Sequence, residues 1–134
     1  MPDALALGMS GARHFTELIV WQLGDQYRIE VFKLTGQTRL RADLKLRSQI
    51  DDAADSVCRN IAEGFGCQSH REFARFVRIS RRSLNEIQDG FHSALEKQYI
   101  TEDDLVAARR LQRRLFAALA SLLRYLDGDA GAKR

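Results

Sequence analysis

One proline, Pro2, stands at the start of the chain, so every later position is free to be helical. Four stretches use that freedom, each with apolar residues stepping by three and four, the spacing of a packed helix face. The first stripe is Val20, Gly24, Tyr27, Val31 and Leu34, ended by Gly36 and the polar run 37–41. A second helix over about 42–63 carries Leu46, Ile50, Ala53, Val57 and Ile61, and Gly64 stands where a left-handed C-terminal cap would come, with Phe65 folding back on the last turn. Ser69 and Glu72 form a capping-box pattern that opens a third helix, with Phe73, Val77, Ser80, Leu84, Ile87, Phe91 and Ala94 in register. After a break at 98–100, Thr101 and Asp104 restart the chain, and Leu105, Ala108, Leu115, Leu119, Leu122 and Leu126 follow, with Gln112 the polar interruption. Short connections make neighbouring helices antiparallel. The expected fold class is all-α, an antiparallel up-down-up-down four-helix bundle over residues 15–127. Residues 1–14 and 128–134 are expected to be flexible tails.

A chain of 134 residues suits one compact domain. Its 45% apolar content excludes disorder and collagen-like structure. No apolar run reaches the ~18 residues that span a bilayer, and residues 1–15 do not read as a secretory signal. The expectation is a cytoplasmic protein with no membrane partner. Cys58 and Cys67 are too few for a disulfide framework and are expected as free thiols.

Helix 1 carries more apolar residues than one seam uses: Leu18, Trp21, Ile29 and Phe32 cluster on a different side. Helix 4 adds Val106, Leu111, Phe116 and Leu123 off its seam. The tail or a broad core could cover the first cluster. As an exposed patch containing tryptophan, it would instead be a self-association surface.

Charge gives the sharpest pattern. The net charge is +3, with an isoelectric point near 9.1 and basic residues almost all arginine. Arg71, Arg75, Arg78 and Arg82 step by four, three and four along one face of helix 3, with Arg81 beside them, and Arg109, Arg110, Arg113 and Arg114 form a second cluster. Such a ridge can track the phosphates of RNA or DNA. The alternative is a scaffold or protein-interaction module whose arginines close intramolecular or inter-subunit ion pairs. An antiparallel arrangement brings Arg109 and Arg113 near Glu86 and Asp89, and Asp51, Asp52 and Asp55 are also on offer.

No chemistry-bearing motif is complete. Cys67-x-x-His70 offers two ligands where structural zinc wants four, and Asp89-x-x-His92 lacks the second pair of a di-iron bundle, so no metal is expected. There is no glycine-rich phosphate loop, nucleophile elbow or HExxH. None of His14, His70 and His92 follows an arginine at the five-residue offset of HEPN-type helical ribonucleases, and Glu86-x-x-Asp89 stands alone where helical pyrophosphohydrolases pair acidic motifs. No catalytic residue, cofactor or small-molecule substrate is identified, and the chain reads as a non-enzyme.

The run Ser48-Gln49-Ile50, Ser56-Val57 and Asn60-Ile61-Ala62-Glu63-Gly64-Phe65-Gly66 resembles the signature of the four-helix bundle proteins encoded by intervening sequences of 23S rRNA genes, the S23 family. Val20-Trp21-Gln22, Val31 to Thr35, Ser69, Glu72-Phe73, Arg75-Phe76 and Tyr99-Ile100-Thr101 extend the likeness over about 15–126. One departure is Cys58, where the family usually has a proline. The resemblance implies an antiparallel bundle, a homopentamer and no established catalysis. It also implies a fold similar to the accessory variability proteins of retroelements, which bind nucleic acid through a basic surface. That likeness makes the arginine ridge the candidate site. Asn60 to Gly66 also reads simply as a helix end and tight loop.

Overall fold

A computed structural model describes residues 7–132, with side chains through residue 128. Four α-helices account for most of it: α1 (Ile19–Gln37), α2 (Leu44–Phe65), α3 (His70–Glu96) and α4 (Val106–Ala132). Short 3-10 turns at Phe15–Glu17, Arg39–Ala42 and Asp103–Leu105 precede α1, α2 and α4.

The helices form a closed ring in which α2 packs on α1 and α3, α3 packs on α4, and α4 returns to α1. Contact pairs show the directions. Going up α1, Gly24 lies against Cys58, Arg28 reaches Asp55 and Thr35 reaches Asp51. Going up α2, Ile50 meets Gly90, Val57 meets Ser80 and Gly64 meets Phe73. Arg78 meets Asp127, while Phe91 lies by Ala108. In each pair one number rises as the other falls, so consecutive helices run antiparallel.

The 3-4 stripes form the core. Every residue of the stripes on α1, α2 and α3 is buried, and on α4 only Gln112 is half-buried. Such burial stabilises by about 25 cal/mol per Å² of apolar surface.

Chain ends and caps depart from expectation in identifiable ways. Helix α2 begins two residues after residue 42, because Asp43 accepts a hydrogen bond from the Leu46 N–H (3.1 Å) and caps it. It runs unbroken across Cys58. Gly64 does not form a left-handed cap: it is helical and buried, and Phe65 packs edge-on against Phe73 of α3 rather than on its own helix. The left-handed position is Gln98 (φ 61°), after α3, where the Gln98 and Tyr99 N–H groups donate to the Leu95 and Ala94 carbonyls in a Schellman turn. Ser69 and Thr101 cap as expected. The Thr101 and Asp104 N–H groups donate to each other's side chains at 2.9 and 3.2 Å.

The expected N-terminal tail 1–14 is only partly testable, since 1–6 lie outside the described residues. Residues 7–14 fold back: Leu7 is buried, and Met9 and Ala12 pack on the core. Gly8 and Gly11 turn the chain there with positive φ. At the other end α4 continues through much of the expected tail, to Ala132; residues 133–134 lie outside the described residues.

Candidate nucleic-acid interface

Helix α3 buries one face so completely that its opposite face must be solvated. Arg71, Arg75, Arg78 and Arg82 lie on that opposite face, and all four are exposed. Two of them have acidic partners. Arg75 pairs with Glu72 (3.3 Å) and stands over the Phe76 ring at 4.5 Å, and Arg78 reaches Asp127 of α4 at 2.6 Å. Arg71 and Arg82 have no acidic partner among the described residues.

The second cluster is not continuous with the first. Arg109, Arg110, Arg113 and Arg114 are exposed on α4, with Arg109 and Arg113 beside Gln88 and His92 of α3. At 1.5 Å per residue this is roughly 9–15 Å along α3 from Arg82, the end of the ridge. The expected contacts of Arg109 and Arg113 with Glu86 and Asp89 do not form among the described residues. Arg109 instead pairs with Glu102, just before α4, because seven residues make about two helical turns and set the two on one face of the same segment. Asp51 and Asp55 are also directed elsewhere: Asp51 accepts from Thr35 Oγ1 (2.7 Å) and pairs with Arg47, and Asp55 pairs with Arg28 of α1.

Sequence reading missed Arg59. The α2–α3 packing sets it at a surface groove of about 530 Å³ shared with Arg82, Ser56, Ser83, Asp52 and Glu86. Only the antiparallel register puts Arg59 and Arg82 at one groove, so no spacing rule could have found the pair.

The proposed association patch is divided by the structure. Leu18 is fully buried inside the protomer and is no surface residue, because it closes the core below α1. Trp21 is half-buried against the edge of Phe15. Ile29 (49%) and Phe32 (38%) remain exposed, as do Val106 and Phe116 on α4; Leu123 is buried.

The signature Asn60 to Gly66 does structural work. Asn60 donates to the Ser56 carbonyl and hydroxyl (2.8 and 3.0 Å), and Ser56 bonds Ser83 across to α3 (2.8 Å). Ile61 is core, and the Ala62, Glu63 and Gly64 carbonyls accept from the Gly66 and Cys67 N–H groups to close the loop.

Metal and thiol chemistry find no assembled site. Among the described residues no three His, Cys, Asp or Glu side chains converge. The Cys67 thiol donates to the Glu63 carbonyl (3.4 Å), and His70 lies by the Tyr125 ring. Both cysteines are free, and burial pushes the Cys58 thiol up to about 11, away from reactive thiolate. His14 caps the first turn. No described helix is long and apolar enough to cross a membrane.

Compared with known proteins, residues 16–121 match the family model described as 23S rRNA-intervening sequence protein. No curated protein matches the chain significantly.

Proposed function

The chain belongs to the 23S rRNA-intervening sequence protein family, and we propose that it is a non-enzymatic, cytoplasmic, self-associating bundle that binds nucleic acid or ribonucleoprotein through its basic surface. The carrying observation is the α3 ridge. Four exposed arginines lie opposite the buried stripe, and Arg71 and Arg82 are not neutralised by a described acid. Arg110, Arg113 and Arg114 add a separate positive patch on α4, and Arg59 adds a charge beside Arg82. Ile29 and Phe32 supply the self-association face, with the family resemblance favouring a pentamer. A ring repeats a weak patch and raises avidity without new contacts.

The test is a salt titration of labelled RNA and DNA binding, with oligomeric mass measured in the same buffers. Binding should weaken linearly in log salt. The double variant Arg71→Glu/Arg82→Glu should abolish it at unchanged mass. Undiminished binding by that variant overturns the reading. Dissociation of the oligomer by the same substitutions would instead favour the scaffold, with arginines spent on inter-subunit ion pairs.

A further inference from the structure

Between α1, α3 and α4 the bundle holds a cavity of about 250 Å³. Its floor is apolar, made by Phe91 and Ala108, which are 5% and 1% exposed. Its rim is polar and positive. Arg109 and Arg113, one turn apart on α4, stand there with His92 of α3. Glu102 offsets Arg109 and Glu96 lies 3.6 Å from His92, whereas Arg113 has no acidic partner among the described residues. The amides of Gln88 and Gln112 complete the lining. Gln112 is the polar interruption of the buried α4 stripe, and this cavity is where that interruption opens.

Tyr27 is the decisive residue. It lines the cavity, is 1% exposed, and its hydroxyl has no hydrogen-bond partner among the described residues. The hydroxyl is not sealed off but opens on the cavity, where it is a polar handle for an occupant. Burial raises the phenol far above its ordinary value, which keeps it a donor.

We propose that this cavity binds a single nucleotide, the base held against Phe91 and Tyr27 and the phosphate on Arg113 and Arg109. An inorganic anion would leave the apolar floor unused, and a purely apolar ligand would strand two amides and the phenol. A base satisfies both, since its faces are apolar and its edge carries donors and acceptors that Gln88 and Gln112 can read. The volume lies just below the ~300–1,000 Å³ of drug-sized sites, which suits one base and no more. The inference takes from the proposed function the source of the nucleotide and shares Arg113 with its α4 surface, and the α3 ridge residues are not part of the cavity.

The experiment is calorimetric titration of the full chain with each of the four ribonucleoside 5′-monophosphates, with the parent nucleosides and inorganic phosphate as controls. At least one monophosphate should bind saturably and about tenfold or more tighter than its nucleoside or phosphate alone. Arg113→Gln, an exposed change that leaves the core intact, should weaken it about tenfold, and Tyr27→Phe severalfold with the ring still in place. Arg71→Glu/Arg82→Glu should leave this affinity unchanged, so failure of the ridge and failure of the cavity are read separately. Displacement of the nucleotide by a single-stranded trinucleotide would place it on a strand, and absence of displacement would make it a free metabolite. No saturable heat up to roughly 10 mM, or phosphate binding as tightly as every nucleotide (an adventitious ion only), or both pocket variants behaving as the unaltered protein, overturns the proposal.

Discussion

Gly90 and Phe91 are neighbours in α3 and meet opposite surroundings. A Cβ on Gly90 would come within 2.5 Å of Ile50 Cγ1 in α2, whereas Phe91 borders the cavity toward α4. The same contrast runs the length of the helix. On the α2 side, Gly64 lies against Phe73 (2.6 Å from a Cβ placed there), Ser80 donates to the Val57 carbonyl (2.8 Å) and Ser56 bonds Ser83. On the α4 side the joining groups are long: Arg78 to Asp127, and arginines and glutamines around a void. Small residues let two backbones approach closely along the buried centre of the α2–α3 seam, so its groove beside Arg59 and Arg82 lies at the surface. Large polar residues on the α4 side leave room over the core residues Phe91 and Ala108. The tight seam is built for stability, and the loose one has space for a ligand.

The hardest blow to that contrast would come from filling the tight seam. Gly90→Ala and Gly64→Ala should each cost about 1–3 kcal/mol in chemical denaturation, because Ile50 and Phe73 are core residues with little room to retreat. Loss of less than about 0.5 kcal/mol from both would mean that the seam is not close-packed. Two hydroxyls sharpen the comparison, one buried in the seam and one opening on the cavity. Ser80→Ala removes a satisfied buried hydrogen bond and should cost about 1 kcal/mol, while Tyr27→Phe removes a hydroxyl bonded to no described residue and should be nearly neutral in the absence of ligand. Equal losses would show that both seams are equally well bonded.

The smallest effect is acid sensitivity at the end of the tight seam. Asp43 caps α2 and accepts from the Tyr99 hydroxyl (3.0 Å), with Lys97 at 3.4 Å. The Leu46 N–H, then the Tyr99 hydroxyl and Lys97, hold its carboxyl below the ordinary aspartate value. A lowered folded value means stability present above the unfolded pKa and lost as pH falls through the folded one. Asp43→Asn, which keeps a capping side chain but not the charge, should therefore lower neutral stability slightly and flatten its decline below about pH 4. An unchanged acid limb in thermal melts would remove Asp43 from that role.

Several features of the site were legible residue by residue. Arg71, Arg75, Arg78 and Arg82 share a face because 100° per residue requires it, and their exposure follows from the burial of the opposite stripe. Gln112 was visible as an anomaly, but its meaning was not, because Tyr27 and Gln88 come from other helices. Leu18 looked like part of a surface patch, since periodicity gives a helix face but cannot say whether a residue at the helix entry tucks beneath it. Gly64 looked like a C-cap because glycine has two uses, positive φ and close approach, and only the neighbouring chain decides which applies.

The sequence by itself determined the four helices, their caps at Ser69 and Thr101, the buried stripes and the linear order of charges. These are local properties, set by a 3.6-residue repeat and by short-range hydrogen bonds. Tertiary structure decided which arginines keep a free charge, that Arg59 and Arg82 share a groove, and that Tyr27 is buried with its hydroxyl unspent. Those depend on helix register across the bundle, fixed by the packing of Gly64 on Phe73 and Gly90 on Ile50, contacts between residues far apart in the chain.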